Sequence, residues 1–551
     1  MQKFLLILLF CALISCGESK AQNPLNEALK PFYYGVASGD PLENSVIIWT
    51  RVSPEKEGTT VSVKWKMATD SAMRKIVQKG TSLTNAEKGY TVKIDVGGLQ
   101  AGTTYYYQFE ALGKKSLIGR TKTVPKGEVN HLRFAVVSCS NYQAGYFNAY
   151  GRIADRNDLD AVIHLGDYIY EYPDGGYGDS ILIVSGARSI SPKHELLSLE
   201  DYRSRYATYR LDPDLQRLHQ MHPFITVWDD HETANDAYKD GAQNHNENGK
   251  EEGEWERRKK NARQAYAEWL PIRGTANKIY RSIPYGNLAE LIMLDTRLEG
   301  RDKQISKISD PELYSEERTI LGKEQREWLF NTLEKSKAKW KILGNQVMFA
   351  DYNIGWAAAG NPQYTPEQLE SIFLDIWDGY PAERNKIINF LTEKKINDVV
   401  IITGDVHCSF AYDIALRPSV FTEKGSMPNY NPTTGEGSVA VEFVTPSISS
   451  SNFDENLKSM TTAKMLAYQM NKPLPLPAPN NVNPNPHMKF ANLTDHGYFI
   501  LDLTPEKAQA DWYFMKDILT KNTEEYYAEG WLTKAGENKL QKAEKPADSK
   551  K

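Results

Sequence analysis

Four short apolar runs in this chain end in side chains that bind cations or move protons. Phe134-Ala135-Val136-Val137 runs into Ser138-Cys139-Ser140-Asn141, and Val162-Ile163-His164-Leu165 runs into Gly166-Asp167-Tyr168-Ile169-Tyr170. Ile225-Thr226-Val227-Trp228 runs into Asp229-Asp230-His231-Glu232, with Asn235 and Asp236 just beyond, and Val399-Val400-Ile401-Ile402 runs into Gly404-Asp405-Val406-His407. Continuous apolar runs of this length are the mark of strands buried on both faces, as in parallel sheets. Ligands bind outside the carboxyl ends of such strands, so the four runs would deliver Cys, Asp, Tyr, His and Asn to one mouth. So many anionic ligands repel one another unless a cation balances them. A metal centre is the simplest resolution. A lone Gly-Asp after an apolar run is more often just a β-turn; the ordered set carries the argument.

The rest of the chain divides around this feature. Its 551 residues exceed one ordinary core and suggest two or three domains. From about Pro31 to Val124, alternating stretches at Ser45 to Thr50, Thr60 to Lys66, Tyr90 to Val96 and Thr103 to Phe109 are separated by Gly, Pro and Asn. That pattern predicts a small all-β sandwich of immunoglobulin or fibronectin type over residues 31–125. From about residue 130 to 515 the pattern turns α/β, with further apolar runs at Leu291 to Leu294 and Ile342 to Phe349. Helix-period stretches lie between, such as Arg257 to Leu270 and Glu324 to Ser336. The Pro/Asn-rich stretch from Pro473 to Pro486 reads as an irregular surface loop. Residues 516–551 read as a C-terminal tail, frayed or helical from Lys534.

The N-terminal residues read as a targeting segment. Lys3 precedes an apolar run from Phe4 to Ile14, which is signal-peptide length and too short to span a bilayer. It closes in Leu13-Ile14-Ser15-Cys16, which resembles a bacterial lipobox; Cys16 would then be the lipidated mature N-terminus, with residues 1–15 removed and 16–30 a linker. The other reading is a plain signal peptide cut after Ala21. Both readings export the chain, the first as a membrane-anchored lipoprotein facing the periplasm or cell surface, the second as a soluble secreted or periplasmic protein. Cys139 and Cys408 are the two cysteines outside this segment, so a disulfide scaffold is excluded and one bridge between them is the alternative to ligation. Cys408 follows His407 directly, so the two side chains point apart on a strand and Cys408 reads as a buried spectator. With 66 basic against 71 acidic side chains, bulk charge disfavours a nucleic-acid partner.

The blocks Gly166-Asp167-x-x-Tyr170, Asp230-His231-Glu232 and Gly404-Asp405-x-His407 resemble the calcineurin-like metallophosphoesterase superfamily. Cys139 in the first block, Asp230 in place of Asn and Asp405 in place of a first His are similar to the PhoD-type alkaline phosphatase family. Phe32 to Pro41, Trp49-Thr50-Arg51, Glu200 to Arg203, Leu294 to Arg297, Glu442 to Ser447 and His496-Gly497 extend the resemblance from about residue 32 to about 503. It implies an α/β catalytic domain of mixed sheets packed as a sandwich and flanked by helices, with Asp167 bridging two metals. Cys139, Tyr170 and His407 would complete a first site; thiolate and phenolate suit Fe³⁺ there. Asp230 and Asp405, with Asn235 as a weaker candidate, would hold a second metal by oxygen, which suits Ca²⁺; zinc or manganese are the substitutes. His231 would contact phosphate and protonate the leaving group, and Asn141 and Arg297 would bind substrate. Arg203 and Arg205 could also clamp phosphate, although structural pairing is the commoner fate of a single arginine. His164, inside an apolar run, reads as a core histidine.

The resemblance further implies a monomeric enzyme that hydrolyses phosphate monoesters, with diesters beside them, through a metal-bound hydroxide and without a phospho-enzyme. A phosphodiesterase or phospholipase D-like enzyme acting on lipid or polymer diesters is the runner-up. A lipid-anchored binding protein with a degenerate catalytic domain is the reading from another class, and the intact ligand set argues against it.

Overall fold

Burial on one face or two decides how the strands of this chain are layered. The computed structural model describes residues 25–550 except 178–186, 276, 361–362, 417, 419–429 and 474–482. The lipobox-like segment ending at Cys16 and most of the Pro/Asn-rich stretch therefore lie outside the described residues. Leu132–Val137, Ala161–His164 and Pro223–Thr226 are buried at every position and pair in parallel, as continuous apolar runs require. They form the centre of a ten-stranded sheet. A second, seven-stranded sheet has a parallel core of Ala289–Met293, Trp340–Gly344, Val399–Thr403 and Ser438–Val444.

The two sheets face each other across one core. Phe134 meets Tyr285 at 5.0 Å between ring centroids, Phe443 meets Trp512 at 5.8 Å, and Trp512 Nε1 donates to the Val444 carbonyl at 3.2 Å. Helices cover the outer faces. Leu199–Arg210, Pro213–Met221 and Trp255–Trp269 send Tyr202, Tyr206, Leu215, Leu218 and Ala262 into the core of the first sheet. Gly322–Lys335 and Pro381–Glu393 bury Leu329, Leu333, Ile387 and Leu391 behind the second. Ser198 and Asp201 cap the first of these helices reciprocally, which fixes where it starts. No helix among the described residues is long and apolar enough to cross a membrane.

Two features differ from the expectation. The strands predicted in residues 31–125 are present, but Val36–Gly39 pairs in parallel with Pro223–Thr226, so Val36–Gly39, Val46–Arg51 and Thr91–Val96 continue the ten-stranded sheet. A separate five-stranded sheet packs on them around Val46, Ile48, Val63, Met67, Tyr107 and Phe109. The segment 516–551, expected to be a tail and frayed or helical from Lys534, instead adds strands. Glu525–Lys534 and Gln541–Lys542 pair antiparallel at the edge of the ten-stranded sheet, and Ala547 N–H donates to Asp511 at 2.8 Å.

Candidate metal centre

The predicted ligands sit where parallel strands of both sheets end, and the backbone there is forced. Cys139, Asp167, Asp405 and His407 have φ of 57°, 56°, 66° and 64°, in the left-handed region. Side-chain-bearing residues enter that region at a cost of about 1–2 kcal/mol each, and such residues cluster at functional sites. The loops also approach closely. A Cβ on Gly166 would lie 2.4 Å from Asp229 Cβ, and one on Gly404 would lie 2.7 Å from Ser138 Cβ. Glycine at these two positions is what lets the Cys139, Asp167, Asp230 and Asp405 loops meet. Three of these loops leave the first sheet and the Asp405–His407 loop leaves the second, so the centre spans the seam; a parallel bridge between Ser138 and Ser447 closes it.

Three overlapping groups of ligand atoms result, each within 4.8 Å: Cys139–Asp167–His407, Asp167–Asp230–His231 and Asp229–Asp230–Asp405. Asp167 joins the first two and Asp230 the last two. Tyr170 belongs with the first group, its hydroxyl donating to Asp167 Oδ2 at 3.0 Å and lying 3.4 Å from His407 Nε2. Burial, then the Asp167 carboxylate, pushes the Cys139 thiol well above its usual range. Burial, then Asp167, does the same to the Tyr170 phenol. Asp167 and Asp405 are driven far up by burial, against His231 and Arg297 respectively, with neighbouring carboxylates adding to the rise. Asp167 Oδ1 is buried without a hydrogen-bond partner. Thiol, phenol, imidazole and carboxylates crowded around an unpartnered carboxylate oxygen fit cations, which remove this repulsion by displacing protons.

Buried carboxylates outside the predicted set hold the loops. Glu232 accepts the backbone N–H of Asp167 at 3.1 Å and of Asp229 at 2.8 Å, and also that of Tyr168. Glu171 accepts from His231 Nδ1 at 2.8 Å, Asn235 N–H at 2.7 Å and Asn244 Nδ2 at 2.8 Å. Burial opposes charge on His231, but Asp230, Asp167 and Glu171 outweigh it and raise its pKa. Its ring lies 4.3 Å from Tyr170 between centroids, with Tyr172 and Tyr177 beyond. Glu232 was visible in the sequence as the end of its Asp-Asp-His-Glu run; Glu171, one residue past Tyr170, carried no spacing signal.

Several sequence expectations take a different place. Arg297 is fully buried and binds no open surface: its guanidinium meets Asp229, Asp375 at 2.7 Å, Asp405 at 2.8 Å and Asp230 at 3.5 Å. It is the internal counter-charge of the carboxylate cluster. Asn141 is near the centre but spends its amide on the Tyr177 carbonyl at 3.4 Å and on Gln143 N–H at 3.1 Å. Asn235 turns its amide to Gln243 at 3.0 Å. Arg203 pairs with Glu268, and Arg205 binds backbone carbonyls including those of Tyr172 and Pro192. Cys139 and Cys408 are both free, so the alternative disulfide is absent, and Cys408 sits in the apolar core. His164 is held as a core histidine between the Tyr150 hydroxyl, 2.9 Å away, and Gly166 N–H, 3.3 Å away.

Two facing mixed sheets with this cluster at their seam define a candidate metalloprotein, and comparison with known proteins gives its family and class. The PhoD-like phosphatase model matches residues 134–512, and the model of the PhoD-like phosphatase N-terminal domain matches residues 18–125. The chain belongs to the PhoD-like phosphatase family. It is 36% identical over 519 residues to alkaline phosphatase D of Bacillus subtilis (strain 168), covering 91% of this chain and 80% of the relative. A solved structure of PhoD superposes with a TM-score of 0.78 at 33% identity, covering 95% of this chain and 94% of that one.

Proposed function

We propose that this enzyme hydrolyses phosphate monoesters, and diesters more slowly, at the Asp167 centre. The observation that carries the reading is the overlap of two ligand groups on Asp167, with His231 in the second of them. Cys139, Asp167, Tyr170 and His407 would hold Fe³⁺, since thiolate and phenolate together favour a highly charged ion. Asp167, Asp230 and Asp405 would hold Ca²⁺ through oxygen. When bound, such metals acidify water and neutralise phosphoryl charge. The chain's own residues do the rest. His231, held by Glu171 and charged by its carboxylate neighbours, is placed to donate a proton to the leaving oxygen. Asp229 and Arg297 keep Asp230 and Asp405 in register, and Glu232 fixes the loops that carry Asp167 and Asp230.

The similarity to a protein named alkaline phosphatase D supports the monoester preference. The lipobox-like ending at Cys16 supports export and lipid anchoring outside the cytoplasm. Residues 31–125 would be an immunoglobulin- or fibronectin-like module; the packing of their strands around Val46, Ile48, Val63 and Tyr107 supports that reading, and the shared sheet supports a role in packing and positioning. Paired initial rates on p-nitrophenyl phosphate and bis-p-nitrophenyl phosphate, with protein purified without chelator and assayed in added Ca²⁺, test the substrate reading. Monoester dominance is expected; diester dominance would redirect the search to lipid or polymer phosphodiesters.

A further inference from the structure

The segment 447–452 leaves the strand Ser438–Val444 and runs along the metal centre while contributing none of the predicted ligands, yet its polar groups address three of them. Ser450 Oγ lies 2.6 Å from the Tyr170 hydroxyl and 2.9 Å from the Cys139 carbonyl, and it accepts Asn141 N–H at 3.2 Å. The Ser451 carbonyl accepts from His407 Nδ1 at 2.8 Å. Proton and partner on Nδ1 leave Nε2, the nitrogen facing Tyr170, as the free lone pair. The segment is locked from behind. His496 Nδ1 donates to Ser447 Oγ at 2.9 Å, and Ser447 Oγ donates to the Ser450 carbonyl at 2.6 Å. Asn452 and Glu455 flank His496 Nε2 at 3.4 Å and 3.5 Å. Ser447 and Ser450 are wholly buried, so these bonds do not compete with water.

We propose that Ser450 is a positioning residue of the metal centre, its hydroxyl donating to the Tyr170 oxygen, and that His496 holds the segment that places it. The inference rests on reading Tyr170 and His407 as metal ligands. Tyr170 gives its own hydrogen to Asp167 Oδ2 at 3.0 Å, which leaves its oxygen to accept from Ser450. Ser450 has one hydrogen and two acceptors in reach, Tyr170 and the Cys139 carbonyl. The contact to Tyr170 is the shorter, 2.6 Å against 2.9 Å, so the hydroxyl points to Tyr170. Ser450 then touches both Cys139 and Tyr170, its backbone N–H donating to the Cys139 carbonyl at 3.3 Å and its hydroxyl to the Tyr170 oxygen at 2.6 Å.

The test titrates Zn²⁺ into metal-stripped, full-length parent and Ser450 variants, with a competing chelator reading affinity and thermal melts reading the metal-free fold. Ser450→Ala is expected to weaken the tighter site about 10- to 100-fold, the range for lost partners of metal ligands, with the metal-free melt unchanged. Ser450→Thr, which keeps the hydroxyl, should restore affinity. Ser450→Cys keeps the volume but is a weak donor and should lose affinity as the alanine does, which covers the case of a poorly folded alanine variant. His496→Gln should lower affinity in the same direction by a smaller factor. Parent-like affinity in both S450A and S450C overturns the proposal. A parent that takes up no Zn²⁺ overturns the metal-centre reading itself, a separate failure.

Discussion

Replacing Arg297 with methionine removes the guanidinium that faces Asp229, Asp230 and Asp405 together. The guanidinium is wholly buried and faces Asp229, Asp230, Asp375 and Asp405. Methionine fills similar volume but leaves Asp229, Asp230 and Asp405 without their guanidinium, while Arg301 still pairs with Asp375. Removing one partner of a buried ion pair costs about 3–5 kcal/mol. Asp229 and Asp405 are raised by burial even with Arg297 pulling them down, so they have no reserve against its loss. An unfolding entropy of about 2.1 cal/mol/K per residue, taken over residues 134–512, gives about 0.8 kcal/mol/K. The variant should therefore melt about 4–6 °C lower in the absence of metal. Arg297→Lys keeps the charge without the planar fork and should lose about half as much. Scanning calorimetry of chelator-treated protein reads the first effect. Steady-state rates with added Ca²⁺ read the second, a fall in kcat/KM of about 10- to 100-fold as Asp230 and Asp405 lose their alignment. An R297M enzyme that melts within 1 °C of the parent and turns over within about twofold would refute the counter-charge role.

Further outcomes follow from the same geometry. Cys139→Ser should lower metal occupancy by about tenfold or more with the fold intact, read by elemental analysis of dialysed protein; parent-like occupancy contradicts thiolate ligation. His231→Gln should lower kcat about 10²- to 10⁴-fold with little change in KM, and Glu171→Gln should act in the same direction but less; an effect confined to KM would assign His231 to binding alone. His164 sets an acid-side dependence. Burial lowers its pKa to about 3, below the unfolded value near 6.5, so the unfolded chain takes up the proton first. Its contribution is full above about pH 6.5 and is lost as pH falls towards 3, at about 2 kcal/mol between pH 6.5 and 5. His164→Gln should flatten the parent's decline in melting temperature over that interval; identical slopes refute it.

The sequence made the clustering legible because each candidate ligand follows closely on a buried strand, and burial on both faces leaves an unbroken apolar run. Cys139, Asp167, Tyr170, Asp230, Asp405 and His407 were all readable in this way. That the Val399–Thr403 run belongs to a second sheet was not, because nothing local to a strand names its partner. The same limit hid the pairing of Val36–Gly39 with Pro223–Thr226, which joins the N-terminal strands to the catalytic sheet. Arg297 shows a second limit: an arginine near a phosphate site reads as a clamp until its burial is known. Glu525–Lys534 shows a third: with only the two-residue strand Gln541–Lys542 outside it, it carries the charges of a strand near a sheet edge and so resembles a solvated tail.

The most direct test of the whole account is the metal content and p-nitrophenyl phosphate turnover of Asp167→Asn beside the parent, both purified without chelator. Asp167 is shared by two ligand groups, so the account predicts a parent that retains bound metal and a variant that loses most of its metal and most of its turnover together. A variant with parent-like metal content and near-normal turnover would contradict it.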